Sequence, residues 1–309
     1  MIPSILLIPE FNISAFASTD LLKASRLSQR LKAQHFEDWR ELVADHGIDA
    51  IVVAGPPAFN ADVIEESLTA GKPIFSEKPC APNTQRLLQL IEVKKRCGGH
   101  TQVGFNFRHS RYFTNLVSLE SRFGRIVTLD IEFSSNKPLN PLWGCNDVFE
   151  SFLLSVGIHP LDTLCSLLTG EFDYKSSVSE LSQEVYQLRV LANDDSRTVT
   201  VLTGNYSPRF FASFRATFEN GCVATTNSDM PSLINVHSHS IPRPSASKTG
   251  IKCNECVEIR KEIGIEREGS GYEAEMRMFY QLVKRAVSND FSIDNSLPTL
   301  NLIEKILNK

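Results

Sequence analysis

The sequence predicts an α/β domain with a parallel, doubly wound sheet, followed by an α+β domain whose large open sheet is mostly antiparallel with helices on one side. Three observations predict it. Residues 13–107 alternate short apolar runs of strand length with amphipathic stretches of helical length. After about residue 109 the rhythm changes to strand-like segments with few helices between them. The 309 residues also suffice for two cores. The domains expected are therefore 1–108 and 109–309.

Residues 13–17 (ISAFA) form a short apolar run of strand length. Over 21–33, Leu22, Leu27 and Leu31 recur at helical spacing against Lys23, Arg26 and Arg30. Glu37 or Asp38 can cap a helix to residue 46, in which Trp39, Leu42 and Val43 repeat at helical intervals. The continuous run 50–54 (AIVVA) suits a strand covered on both faces. A helix over 61–70 stops at Gly71, and 73–76 opens the next strand. A helix over 84–97 closes at Gly98-Gly99 and leads to a strand over 102–107. Beyond it, 109–123 and 147–168 read as helices. Strands are expected at 125–134, 185–191, 198–202, 210–218, 222–228 and 232–237. Residues 245–250 make a small polar loop, and helices over 272–287 and 297–307 close the chain.

Composition narrows the function classes. A hydrophobic content of 42%, a charged content of 22% and a net charge of −4 describe a globular protein with no basic surface for nucleic acid. No uninterrupted apolar run approaches the roughly 18–20 residues that cross a bilayer. Residues 1–10 lack the basic start and small-residue cleavage site of a signal peptide, so a cytoplasmic location is expected. Seven scattered cysteines suit reduced thiols better than a disulfide framework.

Residues 49–82 carry the chemistry: a buried strand, the Pro56-Pro57 turn, a helix, then a strand ending in Glu77-Lys78-Pro79. A lysine at the carboxyl end of a parallel strand sits where open α/β sheets bind ligands. Partly buried there, it can share a proton with a substrate oxygen. His237, His239, Cys253 and Cys256 have a spacing that could hold zinc. A lone C-x-x-C is common by chance, so no metal site is expected.

The stretch 49–82 resembles the Gfo/Idh/MocA family of NAD(P)-dependent oxidoreductases. The match runs through Gly55-Pro56-Pro57-Ala58-Phe59-Asn60, Ala70-Gly71-Lys72 and Glu77-Lys78-Pro79. It continues in Val103-Gly104-Phe105-Asn106-Phe107-Arg108, in Gly157-Ile158-His159-Pro160-Leu161-Asp162 and in a helix with Tyr272, Phe279 and Val283. The resemblance implies a Rossmann-type domain, hydride transfer between NAD(P) and a sugar, cyclitol or sugar-derivative alcohol or ketone, and a homo-oligomer built on the large sheet. It implies Lys78 beside the reacting oxygen and His159 as acid/base or substrate ligand. Cofactor contacts are expected from Ser18, Thr19, Pro56, Pro57, Asn60, Glu77 and Lys78, and substrate contacts from Arg108, Ser155 and Asp162. Uncharged Ser18, with Thr19 and Lys23 nearby, leans the cofactor toward NADP over NAD.

Two departures from the family pattern stand out. Ser155 replaces an Asp one helical turn before His159, and Glu150-Ser151 replaces a Gly-Gly. The glycine-rich phosphate turn is also missing, since the first glycine is Gly47. Residues 1–9 look like the helix after that turn, already under way. The expectation is a start about 15–25 residues late, judged from the size of a βαβ unit. Upstream in-frame DNA would check it. Two other readings stay open: a non-catalytic sugar-binding or regulatory member of the same fold, and an inactive truncated product.

Overall fold

The computed structural model describes residues 2–168, 170–229, 233–237, 254–258, 268–284 and 291–308. These fall into two compact units, residues 1–105 with 272–308, and residues 106–271.

The first unit opens with helix α1 (Ile2–Ile5) and strand β1 (Ala15–Ala17), followed by α2 (Leu21–Leu31), β2 (Gln34–Phe36) and α3 (Trp39–Ala44). Asp38 caps α3 by accepting the Arg40 N–H at 2.9 Å. Then come β3 (Ile51–Val53), α4 (Pro57–Thr69), β4 (Ile74–Glu77), α5 (Thr84–Cys97) and β5 (Thr101–Gly104). Helix α4 begins four residues earlier than its periodicity suggests, because Pro57 supplies a ready-made first turn. Helix α5 has its expected bounds: the Asn83 side chain caps its start, and Gly98 ends it at φ +63°.

The strands form two parallel sheets, β1–β2 and β3–β4–β5. Strand β2 was not expected; three residues give too short a window for periodicity.

The second unit starts with a 3₁₀ turn, Asn106–His109, where the sequence suggested that the strand ran on. It continues through α6 (Arg111–Ser118), α7 (Glu120–Phe123), β6 (Ile126–Ser134), α8 (Val148–Phe152), a π-helical turn (Leu153–Gly157) and α9 (Ile158–Leu167). Strands β7 (Asp173–Ser182), β8 (Val185–Asn193), β9 (Thr198–Gly204), β10 (Phe211–Phe218), β11 (Val223–Asn227), β12 (Leu233–His237) and β13 (Asn254–Glu258) complete it. The eight-stranded sheet has the order β13-β12-β11-β10-β6-β9-β8-β7. Every pairing is antiparallel except β6–β9, so the sheet is mixed. Strand β7 escaped sequence detection because its residues are exposed and polar on both faces. The run Val148–Leu167 is long and apolar enough to cross a membrane by length and composition. Here it is a core helix, with Phe152, Leu161 and Leu164 fully buried.

Helices α10 (Tyr272–Val283) and α11 (Leu297–Leu307) return to the first unit, whereas the sequence assigned all of 109–309 to one domain. Their apolar faces explain it. Met276, Phe279 and Leu282 of α10 pack with Ile5, Ile8 and Phe75 in one buried cluster. Helix α11 joins α5, where the Thr84 N–H donates to Glu304 at 2.6 Å. Just before α10, Gly271 has φ +87°, and a side-chain carbon there would lie 2.2 Å from the Asn106 carbonyl. Only glycine fits that approach. The loop expected at 245–250 lies outside the described residues, as do Cys253 and His239.

Candidate active site

Two sets of the expected residues form separate constellations, one in each unit. In the first unit, β3 and β4 end side by side, and Asn60 ties the ends together. Fully buried, it accepts the Gly55 N–H at 2.9 Å and donates to the carbonyls of Glu77 and Pro79, each at 3.1 Å. Both of its N–H groups are thus engaged by backbone, which makes it a clamp on the site; the cofactor contact expected from the sequence would have to use its oxygen alone. Pro56 precedes the first turn of α4 and Pro57 begins it.

Glu77 and Lys78 then sit at the carboxyl end of the middle strand of β3–β4–β5. Burial raises the pKa of the Glu77 carboxyl, opposed by the Lys78 charge and the Lys78 N–H. Burial also lowers the Lys78 ammonium to about 8, with Glu77 pulling the other way. Desolvation therefore outweighs the attraction between the two side chains.

Tyr272 of α10 belongs to the same neighbourhood. Its phenol is pushed up to about 12 by burial and by the charges of Glu77 and Glu275. Helix α10 is held to β5 by the Gln102 side chain, which donates to the Glu275 carbonyl at 2.8 Å. Sequence reasoning gave Tyr272 no role, and its place at the head of the α10 pattern was the available signal. The Cys80 thiol is buried and raised to about 12, which makes it inert.

Ser18 and Thr19 follow β1, in the other sheet of this unit. The Ser18 hydroxyl accepts the Asp20 N–H at 3.2 Å, and Thr19 is exposed.

In the second unit, Arg108 and Asp162 form a bidentate pair. Nε donates to Oδ2 at 2.6 Å and Nη2 to Oδ1, with the side chains only 11% and 1% exposed. The pair joins the 3₁₀ turn to α9. Phe107 on that turn meets the His159 ring edge-to-face, with centroids 4.7 Å apart. Phe210 stacks on Phe107 at 5.5 Å and is 42% exposed. His109, next to Arg108, is half-buried, and desolvation with the Arg108 charge lowers it to about 4, so it stays neutral near pH 7.

Ser155 lies inside the π-helical turn, and its hydroxyl donates to the Ser151 carbonyl at 2.6 Å. That turn replaces the regular α-helical spacing assumed between residues 155 and 159. Arg108 and Asp162, expected at the substrate, brace each other.

The comparisons fit this geometry. Residues 2–105 match the family model described as the oxidoreductase family with an NAD-binding Rossmann fold. Over these residues the chain is similar to the Gfo/Idh/MocA oxidoreductases. Inositol 2-dehydrogenase of Corynebacterium glutamicum (strain R) is 32% identical over 110 residues, covering 35% of this chain and 33% of that protein. A dTDP-3,4-didehydro-2,6-dideoxy-alpha-D-glucose 3-reductase of Actinomadura kijaniata is 24% identical over 173 residues, covering 55% and 52%. The chain thus spans about a third to a half of the length of these curated relatives. The crystal structure of a dehydrogenase from Chromobacterium violaceum is similar over 99% of this chain and 90% of that one, at 25% identity and a TM-score of 0.89.

Proposed function

We propose that the chain is an NAD(P)-dependent oxidoreductase that moves hydride between the nicotinamide and a secondary alcohol or ketone of a sugar, cyclitol or sugar derivative. Lys78 carries this reading: a lysine at a parallel strand end, lowered to about 8 by desolvation, is poised to exchange a proton near neutral pH. The nicotinamide, when bound, accepts or supplies the hydride. The strand ends of β3 and β4, with Pro56 and Pro57 leading into α4, suit such a group. Pro56, Pro57 and Glu77 would line it.

In the oxidative direction, neutral Lys78 takes the hydroxyl proton as the carbon loses hydride. In reduction, the Lys78 ammonium returns a proton to the carbonyl oxygen. His159 is the second unit's own candidate for a substrate ligand or proton carrier. The inositol dehydrogenase and sugar reductase relatives support a polyol-like substrate class. Ser18 brings no carboxylate to repel a 2′-phosphate, which favours NADP over NAD. Titrating the protein with NADH and with NADPH, read by nicotinamide fluorescence, tests this; saturation by neither defeats the proposal. The same reading includes a homo-oligomer through the eight-stranded sheet, which light scattering measures.

Ser155 favours one alternative. Its hydroxyl is bonded back to the helix and brings no carboxylate to His159, as expected of a sugar-binding member without turnover. Cofactor binding with no turnover across a polyol panel would select it.

A further inference from the structure

Strands β4 and β5 pair in parallel, with Glu77 opposite Gly104. The Glu77 side chain lies over that glycine. A side-chain carbon on Gly104 would stand 3.2 Å from Glu77 Oε2, 3.4 Å from Glu77 Cα and 3.1 Å from Cζ of Phe75. Relaxed carbon contacts begin at about 3.5 Å, so the space beside Gly104 is already taken. Gly104 lies within β5 and has no left-handed φ. What calls for glycine here is room, not backbone conformation.

The surroundings decide which group would give way to a larger residue. Phe75 is fully buried and packs edge-to-face on Phe279 at 5.7 Å, inside the cluster that holds α10. Close-packed rings of that kind move little. The Glu77 backbone is pinned as well, because its carbonyl accepts from Asn60 at 3.1 Å and from the Ser76 hydroxyl at 2.9 Å. The Glu77 carboxyl is the movable end.

That carboxyl also touches the lysine. Oε2, the oxygen beside Gly104, accepts the Lys78 N–H at 3.3 Å. The charge of Glu77 holds a proton on the Lys78 amine against desolvation. The other charges facing the pair are Glu275 of α10, which together with Glu77 raises the Tyr272 phenol, and the chain's amino terminus, which acts on Glu77.

We propose that Gly104 is a positioning residue: it leaves the room that seats the Glu77 carboxylate against Lys78, and so sets the pH at which the lysine exchanges its proton. Only the use made of that proton rests on the proposed function. A methyl group at 104 pushes Oε2 away and weakens its hold on the ammonium. Lys78 then loses its proton at lower pH.

Nuclear magnetic resonance of protein carrying ¹³C at the lysine ε-carbons tests this, with Lys78 assigned as the signal missing from Lys78→Met. The parent Lys78 should titrate near pH 8. Gly104→Ala and Glu77→Gln should each lower that midpoint by about one pH unit. The double variant should fall no further than Glu77→Gln alone, because both changes act through one carboxylate. A parent-like midpoint in Gly104→Ala, or additive falls in the double variant, overturns the proposal. Glu77→Asp keeps the test decisive if Gly104→Ala fails to fold. Its shorter side chain withdraws the carboxylate from Gly104 and should lower the midpoint too, and a midpoint unchanged by it overturns the proposal equally. The titration needs no substrate. A parent inactive on every polyol would defeat the proposed function and leave this result standing.

Discussion

The two units treat buried charge in opposite ways. Arg108 and Asp162 bond each other through two parallel contacts and hold a turn against a helix. Glu77 and Lys78 are neighbours too, yet burial prevails over their attraction and moves both pKa values toward neutrality. A geometrically satisfied pair fixes structure. A pair whose protonation has been pushed toward neutral pH can exchange a proton with a ligand. On the proposed function, the contrast assigns Arg108 and Asp162 to the scaffold and Lys78 to the chemistry.

The sharpest way to break the contrast is to remove the lysine. Lys78→Met should cut turnover by about 10²–10⁴, the usual worth of a positioned proton carrier, without lowering the melting temperature. Methionine keeps the unbranched apolar stem of the lysine and removes only its charged end. Asp162→Ala should do the reverse. It removes the carboxylate that both Arg108 contacts reach and should cost about 3–5 kcal/mol in denaturant unfolding. Replacing both partners with apolar residues should recover most of that loss. If Asp162→Ala were as stable as the parent, the scaffold role would be wrong.

Asn60→Ala should have a smaller effect, about 1–3 kcal/mol, because it leaves the Gly55 N–H and two strand-end carbonyls without their partner. The same denaturation curves measure it. Smallest is a shift in pH dependence. Lys78 is lowered from 10.5 to about 8, so its neutral form grows as pH rises through 8. Oxidation, which needs the neutral amine, should accelerate over pH 7–9, and reduction, which needs the ammonium, should slow over the same range. Rates that are flat in both directions across that window would remove Lys78 from proton transfer.

Much of the fold was legible because its signals are local. Helix α5 lies between a capping Asn83 and a left-handed Gly98, and both ends can be read from the residue types. The Glu77-Lys78-Pro79 strand end was legible for the same reason: a β-branched strand, a helix and a second strand follow in one short stretch. What escaped depends on distance or on exposure. Strand β7 is polar on both faces, so alternation gives no mark. The Arg108–Asp162 pair spans 54 positions, and no spacing rule connects them. The place of Asn60 in the turn is visible in the sequence, while its three backbone partners are not. The return of α10 to the first unit rests on Phe279 packing against Phe75, about two hundred residues apart in the chain.

The most direct measurement is turnover of the parent protein and of Lys78→Met across a panel of cyclitols and sugars, with NAD and with NADP, followed by nicotinamide absorbance. The parent should reduce one of the two cofactors with at least one polyol, and Lys78→Met should bind that cofactor without turning it over. An active Lys78→Met protein, or a parent inactive across the whole panel, would contradict the assignment of the Glu77-Lys78-Pro79 strand end as the seat of the chemistry.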